Sequence, residues 1–135
     1  VILTDGAKMI CTPTYHVFDL YKAHHDANYL PSAITCGECS GVKQLTATAS
    51  EKEGVITLTA TNTSCTDALD VVVHLSGASA KNVTARILTG DMHDKHTFED
   101  AEKVTVKPFD AVRVTETGLK MTLPACSVVE VTIRG

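Results

Sequence analysis

Hydrophobic and polar side chains alternate one by one along most of this chain, beginning near residue 45. The alternation comes in short runs, whose hydrophobic members lie within residues 45–49, 56–60, 71–75, 83–87, 104–106, 112–114, 119–123 and 129–133. A period of two places the hydrophobic residues of a strand on one face, so the pattern predicts about eight half-buried strands. Turn residues such as Glu53-Gly54 and Thr117-Gly118 separate the runs, and this punctuation favours an antiparallel β-sandwich or jelly roll.

Residues 13–25 follow a helical period instead. Thr12 suits an N-cap, and Pro13 suits the first helical position, where its missing N–H is not needed. The side chains that recur at helical spacing, and so share one apolar and aromatic face, are Val17, Phe18, Tyr21 and His24. This spacing predicts an amphipathic helix from about Pro13 to His25.

This helix has no evident partner among the predicted strands. An amphipathic helix has to bury its apolar face against another layer, so we expect that layer to lie outside the chain. Residues 7–11 are predicted as a short buried strand, and a strand followed by a helix is the repeating unit of a (β/α)8 barrel. Because Pro31 favours a boundary, residues 1–30 are predicted as the last barrel unit and residues 31–135 as the β-sandwich.

Composition narrows the class of protein. The chain has 135 residues, of which 44% are hydrophobic, enough for a buried core and too many for an intrinsically disordered chain. A net charge of −4 argues against nucleic acid or an anionic membrane as partner, since both attract basic patches. The chain begins with Val rather than Met and lacks the layout of a signal peptide, which we interpret as a fragment of a longer, soluble protein.

The cysteines are a poor disulfide framework, because their number is odd and their spacing irregular. They are Cys11, Cys36, Cys39, Cys65 and Cys126. A structural zinc site needs four ligands, so the single Cys36–Cys39 pair would need His24 and His25 to complete one. Reduced thiols are the simpler interpretation.

The densest acidic stretch, residues 91–102, mixes Asp, Glu and His. A calcium or transition-metal site there is an alternative. The stretch lacks the fixed ligand order of a calcium loop, and charge runs between strands are usually solvated. We interpret it as an exposed loop and predict neither a metal nor a cofactor.

Four segments carry a resemblance to a known family. They are residues 12–31 (TPTYHVFDLYKAHHDANYLP), 87–90 (ILTG), 97–100 (TFED) and 123–129 (LPACSVV). The first resembles the segment that closes the catalytic barrel of family 51 glycoside hydrolases, the α-L-arabinofuranosidases, and the others resemble their C-terminal β domain. The chain departs from the family at His96, where Asn is usual, at Ala101, where Pro is usual, and mildly at Leu20, Ala23 and His25.

The resemblance implies a parent enzyme that cleaves terminal α-L-arabinofuranosyl groups from arabinan or arabinoxylan with retention and without a metal. Retaining glycosidases use two carboxyl side chains about 5–5.5 Å apart, and in this family both lie upstream of the last barrel unit. We therefore assign no catalytic residue and expect a structural domain that is inactive alone. Tyr15 and His16 follow the predicted barrel strand and are candidates for the rim of the parent's pocket; the alternative is that they only pack or cap the helix.

The resemblance also implies the partners. The missing catalytic barrel would be the main one, the parent's N-terminal residues would add a strand to the sandwich, and a bacterial parent would lie in the cytoplasm or periplasm. The sequence leaves open whether the protein forms a homo-oligomer. A stand-alone carbohydrate-binding module is the alternative function, but such sites rely on exposed aromatic rings, and only Phe98 and Phe109 follow Tyr29.

Overall fold

The computed structural model describes residues 1–135 and consists mainly of antiparallel strands with one helix. The strands are β1 (Ile2–Asp5), β2 (Lys8–Cys11), β3 (Asn28–Leu30), β4 (Glu38–Cys39), β5 (Val42–Lys43), β6 (Leu45–Lys52), β7 (Val55–Asn62), β8 (Leu69–His74), β9 (Asn82–Thr89), β10 (Lys107–Pro108), β11 (Val112–Thr115), β12 (Gly118–Leu123) and β13 (Ser127–Arg134). Helix α1 (Pro13–Tyr21) continues into a 3₁₀ turn at Lys22–His24, as the helical spacing predicts. No helix has the length and apolarity needed to span a membrane.

Two sheets face each other and form the predicted β-sandwich. One has six strands in the order β10-β9-β13-β7-β6-β3, and the other has three in the order β11-β12-β8. The hydrophobic members of the alternating runs, apart from those at 104–106, point between the sheets. Eleven buried residues form the core there: Ala49, Leu58, Ala60, Val71, Ile87, Leu119, Met121, Leu123, Val129, Val131 and Ile133. The predicted fold class is therefore confirmed.

Glycine is required at two of the turns. Glu53 and Gly54 have φ values of 53° and 79°, and two positive φ values are what a tight two-residue hairpin needs between strands such as β6 and β7. At Gly118 an added Cβ would lie 2.1 Å from the carbonyl oxygen of Val73, so no side chain fits where β12 passes β8.

The helix has a partner within the chain, so the expectation of an unpartnered helix is wrong. Helix α1 lies on the outer face of the six-stranded sheet, against β9 and β13. Its Leu20 is fully buried and packs with Leu88 and Val104. Phe18, which the spacing places on the same apolar face, is instead 64% exposed. Only part of the predicted face is covered.

Two further segments differ from the prediction. Val104 and Val106 do not form a strand; they lie in the irregular connection before β10 and pack beneath the helix. The predicted buried strand at residues 7–11 is mostly not buried: in β2 only Ile10 is, because the strand pairs with β1 in a hairpin outside the sandwich. The sandwich sheet itself begins at Asn28, where β3 pairs with β6.

Candidate functional site

The outer face of the six-stranded sheet beneath α1 and the 3₁₀ turn, which we call the helix-covered face, joins the N-terminal segment to the sandwich. Its apolar part is the cluster around Leu20. Leu88 and Val104 are buried with Leu20, and Val17, Val106 and Val128 pack around them. Leu88 and Val128 are the apolar exceptions on the polar side of β9 and β13, and they are the residues that receive the helix.

His24 anchors the other end of the helix through its ring nitrogens. Nδ1 lies 2.6 Å from the Ser50 hydroxyl and Nε2 lies 2.7 Å from the Thr59 hydroxyl. Hydroxyls both donate and accept, so one can serve the N–H of the neutral ring and the other its lone pair. Burial lowers the pKa of His24, and the Glu130 carboxylate partly offsets that effect. Burial therefore favours the neutral ring at the helix–sheet boundary.

An ion-pair network lies between His24 and the Leu20 cluster. Glu130, whose side chain is 8% exposed, accepts hydrogen bonds from Nε and Nη2 of Arg86, its neighbour across β9 and β13. Arg86 also donates to Asp19 of the helix at 3.1 Å. Burial alone would lower the pKa of Arg86, but the hydrogen bonds and charges of Glu130 and Asp19 raise it. A hydrogen bond from Lys22 lowers the pKa of Asp19, and the charge of Arg86 adds to this.

His96 ties the N-terminal hairpin to the long connection between β9 and β10. Its buried ring lies with Nδ1 2.5 Å from the Cys11 carbonyl, and its Nε2 accepts from the Val104 N–H at 3.0 Å. Nε2 also lies 2.8 Å from the Val104 carbonyl oxygen, so the ring contacts the backbone of both segments. His96, where the resembled family usually has Asn, therefore fixes the shape of the connection between β9 and β10.

The rim candidates Tyr15 and His16 lie on the outer side of this junction. His16 is half-buried with its ring edge-on to His96, at a centroid distance of 5.8 Å, and it makes a similar contact with the more exposed Tyr15. Both face away from the sandwich core. His16 is held by its packing against His96, and Tyr15 packs in turn on His16. Their role toward a pocket stays a prediction.

Exposed hydrophobic side chains are concentrated near the start of the chain. Six of the twelve large ones lie within the first eighteen residues: Val1, Ile2, Leu3, Met9, Tyr15 and Phe18. We call this set the N-terminal apolar surface. Singly exposed hydrophobic residues are ordinary on a protein, so the feature that sets this segment apart is that it holds half of them.

The sandwich has an open side as well. Strand β8 is the edge of the three-stranded sheet and pairs only with β12. Beside it a cavity of about 350 Å3 reaches inward to Leu58, Ala60 and Met121 and is bordered by the irregular residues 31–35. The core is therefore less completely covered here than beneath β12.

The structure separates the residues of the alternative metal sites. His24 is bonded to Ser50 and Thr59, away from Cys36, whose thiol donates to the Leu45 carbonyl at 3.7 Å. In the acidic loop Asp94 accepts from the Asp91 N–H and pairs with Lys103 at 2.8 Å. No three His, Cys, Asp or Glu side chains are grouped as ligands.

A family model described as the α-L-arabinofuranosidase C-terminal domain matches residues 1–127. This chain belongs to that family. An intracellular exo-α-L-arabinofuranosidase of Bacteroides ovatus is 38% identical over 136 residues, a match that covers 96% of this chain and 26% of that protein. The chain thus spans about a quarter of the length of the curated relative that it matches.

Solved structures place this C-terminal domain in the same fold. A GH51 arabinofuranosidase from Xanthomonas axonopodis pv. citri superposes with a TM-score of 0.89 at 32% identity, covering 98% of this chain and 28% of that chain. An α-L-arabinofuranosidase from Thermotoga maritima, solved as an arabinose complex, superposes with a TM-score of 0.83 at 21% identity over 98% of this chain and 31% of its own. The family resemblance of residues 12–31 is confirmed.

Sequence reasoning did not identify the polar contacts of the helix-covered face. Arg86 and Glu130 lie on the polar side of their strands, and the pattern predicts that both are exposed to solvent. One signal was present: the polar sides of β6 and β7 carry Ser and Thr almost exclusively, and short hydroxyl side chains suit a covered polar face better than a solvated one. Which residues cover the polar side of β6 and β7 depends on the path of the chain between the helix and β6, and the spacing does not show that path.

Proposed function

We propose that this domain is the non-catalytic support of a longer α-L-arabinofuranosidase, whose catalytic barrel docks on the N-terminal apolar surface. The parent would hydrolyse terminal α-L-arabinofuranosyl groups of arabinan or arabinoxylan with retention. The observation that carries the proposal is the concentration of exposed hydrophobic residues before residue 19, in the segment that precedes the sandwich. The segment before β3 would then belong with the barrel, and the supporting sandwich would begin at Asn28, three residues before the boundary expected at Pro31.

The arrangement of the helix supports this role. Leu20 faces the sheet while Phe18, two residues earlier, faces outward, so the two sides of one helix can bind two bodies at once. The sandwich side is fixed by the Leu20 cluster, by His24 and by the Arg86 pairs. The outward side, with Phe18 and Tyr15, is free to pack against the barrel.

The rim candidates fit the same geometry. Tyr15 and His16 lie at the start of the helix, next to the hairpin of β1 and β2, and we propose that they border the parent's pocket. The name of the Bacteroides ovatus relative favours an intracellular parent. Strand β8 offers a free edge, and we propose that an N-terminal stretch of the parent pairs with it, which would also cover the cavity beside it.

The first test measures whether the chain is active alone and whether it assembles with the upstream part of the parent. The parent reading frame would be divided before Val1, and both parts produced separately. We expect no turnover of an aryl α-L-arabinofuranoside by the 135-residue chain, and a stoichiometric complex with the upstream part by size-exclusion chromatography. Turnover by the chain alone would overturn the proposal.

A matched pair of variants tests where the barrel docks. Phe18→Asp should weaken the complex at least tenfold, because it places a charge in a buried apolar contact. Val114→Asp is the control, since Val114 is similarly exposed on β11, far along the chain from the N-terminal segment. Equal affinities of the two variants would contradict docking on the N-terminal apolar surface.

The structure offers little to a stand-alone carbohydrate-binding module. Phe98 and Phe109, the aromatic residues after Tyr29, are both partly buried, and Phe109 packs against the sandwich core. Tyr29 at the edge strand β3 is exposed but stands without a second exposed aromatic ring on the sandwich, so an aromatic platform for sugar rings is not formed there. Calorimetric titration with arabinan should show no binding.

A further inference from the structure

Two of the five cysteines are neighbours in space although residues 66–125 separate them. Cys65 lies in the loop between β7 and β8, and Cys126 lies in the turn between β12 and β13. The Cys126 N–H donates a 2.8 Å hydrogen bond to the carbonyl of Ser64, the residue directly before Cys65. That bond places Cys126 beside the residue that precedes Cys65. A disulfide between the two cysteines needs Cα atoms about 4.4–6.8 Å apart, which neighbouring backbones of this kind can supply.

Buried side chains hold these two segments together. Asn62 donates from its amide to the carbonyls of Asp67 and Pro124, at 2.9 Å each, and so bonds to both segments at once. The Ser64 hydroxyl accepts from the Asp67 N–H at 3.0 Å. Asn62 and Ser64 are almost completely buried. The positions of the two cysteines are therefore set by the fold and not by a mobile loop.

The two thiols differ in access. Cys65 is exposed and Cys126 is half-buried, and both are free in this structure. Burial raises the pKa of the Cys126 thiol, the neighbouring Cys65 thiol raises it further, and the Asp91 carboxylate adds to the effect. Cys126 also has a φ of 49°, in the left-handed region that few residues other than Gly and Asn adopt. Cys65 is thus the thiol that a reagent reaches first.

We propose that Cys65 and Cys126 are a redox-sensitive thiol pair that closes to a disulfide by exchange with a small-molecule disulfide such as oxidised glutathione. The Cys65 thiolate attacks one glutathione sulfur, forms a mixed disulfide and releases one glutathione thiolate. The Cys126 thiolate then attacks the Cys65 sulfur and releases the second. One glutathione disulfide is reduced, one protein disulfide forms, and the two thiol protons pass to the released glutathiones.

The bond would link the loop after β7 to the turn before β13. Because the bond closes a long loop of chain, it strongly restricts the unfolded state. In the folded state, the hydrogen bonds of Asn62 and Ser64 already hold the two segments together. We expect the thermal midpoint of the oxidised chain to exceed that of the reduced chain by roughly 5–10 °C.

Peptide mapping tests the proposal. The folded chain would be incubated with oxidised glutathione, its remaining thiols alkylated, and the digest analysed by mass spectrometry. The expected result is a linked Cys65–Cys126 peptide as the main product. Mixed glutathione disulfides on both residues without the link, or a dominant link to Cys39, whose thiol lies 4.0 Å from the Ser64 hydroxyl, would overturn the proposal.

Variants and a denatured control separate geometry from simple reactivity. Cys39→Ser and Cys36→Ser should leave the link and the gain in thermal midpoint intact, while Cys65→Ser should abolish both. In guanidinium chloride the same treatment should give mixed pairings. The same pairing preference in the unfolded chain, or a lower thermal midpoint after oxidation, would show that the fold does not favour the bond.

Discussion

The two faces of the six-stranded sheet are buried by different chemistry. On the inner face Val129, Val131 and Ile133 of β13 pack in the hydrophobic core between the two sheets. On the outer face Glu130 of the same strand meets Arg86, and Thr59 of β7 meets His24 of the N-terminal segment. Every fully buried polar side-chain atom has a hydrogen-bond partner, so the outer face is as complete as the inner one.

The two faces therefore place different requirements on the side chains that cover them. Burial of hydrocarbon is non-directional, so the inner face tolerates any aliphatic set of suitable volume. A covered polar face needs each donor and acceptor to be matched in position, because an unpaired buried group costs about 1–3 kcal/mol. The inner face therefore stabilises the sandwich, and the helix-covered face fixes where the N-terminal segment lies.

The largest effect is expected in the core between the inner face and the three-stranded sheet. Leu119→Ala removes a fully buried side chain of β12 and should lower the free energy of unfolding by about 4 kcal/mol, measured by urea denaturation. Val114→Ala, an exposed position on the neighbouring β11, is the control and should change it by less than about 0.5 kcal/mol. A loss below about 1 kcal/mol for Leu119→Ala would mean that the inner face is not the main source of stability.

The apolar part of the helix-covered face comes next. Leu20→Ala should cost about 3 kcal/mol, less than the core variant because this smaller cluster can relax more easily. Phe18→Ala on the outward side of the same helix should cost under about 0.5 kcal/mol in the isolated chain. Equal costs for the two variants would show that the helix is not docked on the sheet.

Arg86→Met should cost about 2 kcal/mol, because it leaves the buried Glu130 carboxylate without its partner. Glu130→Gln should cost less, since Arg86 is 44% exposed and keeps Asp19 and water. The double variant Arg86→Met with Glu130→Leu should recover much of the loss. Thermal unfolding of the three variants measures these losses of stability. A larger loss for Glu130→Gln than for Arg86→Met would contradict the prediction that the unpaired Glu130 carboxylate is the main cost.

The smallest effect concerns pH. Because the pKa of His24 is lowered in the folded state, the unfolded chain takes up the proton first as the pH falls. This contribution to stability is complete above the ordinary histidine pKa of 6.5. It declines below that pH and levels off under the folded-state pKa.

Thermal midpoints between about pH 8 and about pH 5 measure this decline. It should be smaller in His24→Gln and unchanged in His93→Gln, a control at an exposed loop position. A decline of the same size in both variants would place the titrating group elsewhere.

Much of the fold followed from residue pattern. The alternation in β6, β7, β8, β9, β12 and β13 predicted which side chains form the core, and the Thr12-Pro13 start predicted where the helix begins. The same alternation misassigned Val104 and Val106, because two apolar residues at spacing two fit a strand and a loop that folds under a helix equally well. Phe18 was misplaced because an amphipathic stripe shows that a face is apolar without showing how much of it is covered.

The sequence alone determined the sandwich, its core and its family, because a period of two and a specific motif are local properties of the chain. Only the tertiary structure decided that the helix lies on the outer sheet face, that Arg86, Glu130 and Asp19 form one network, and that Cys65 lies beside Cys126. These contacts join residues far apart in sequence, and polar pairing depends on distance and direction that spacing does not encode.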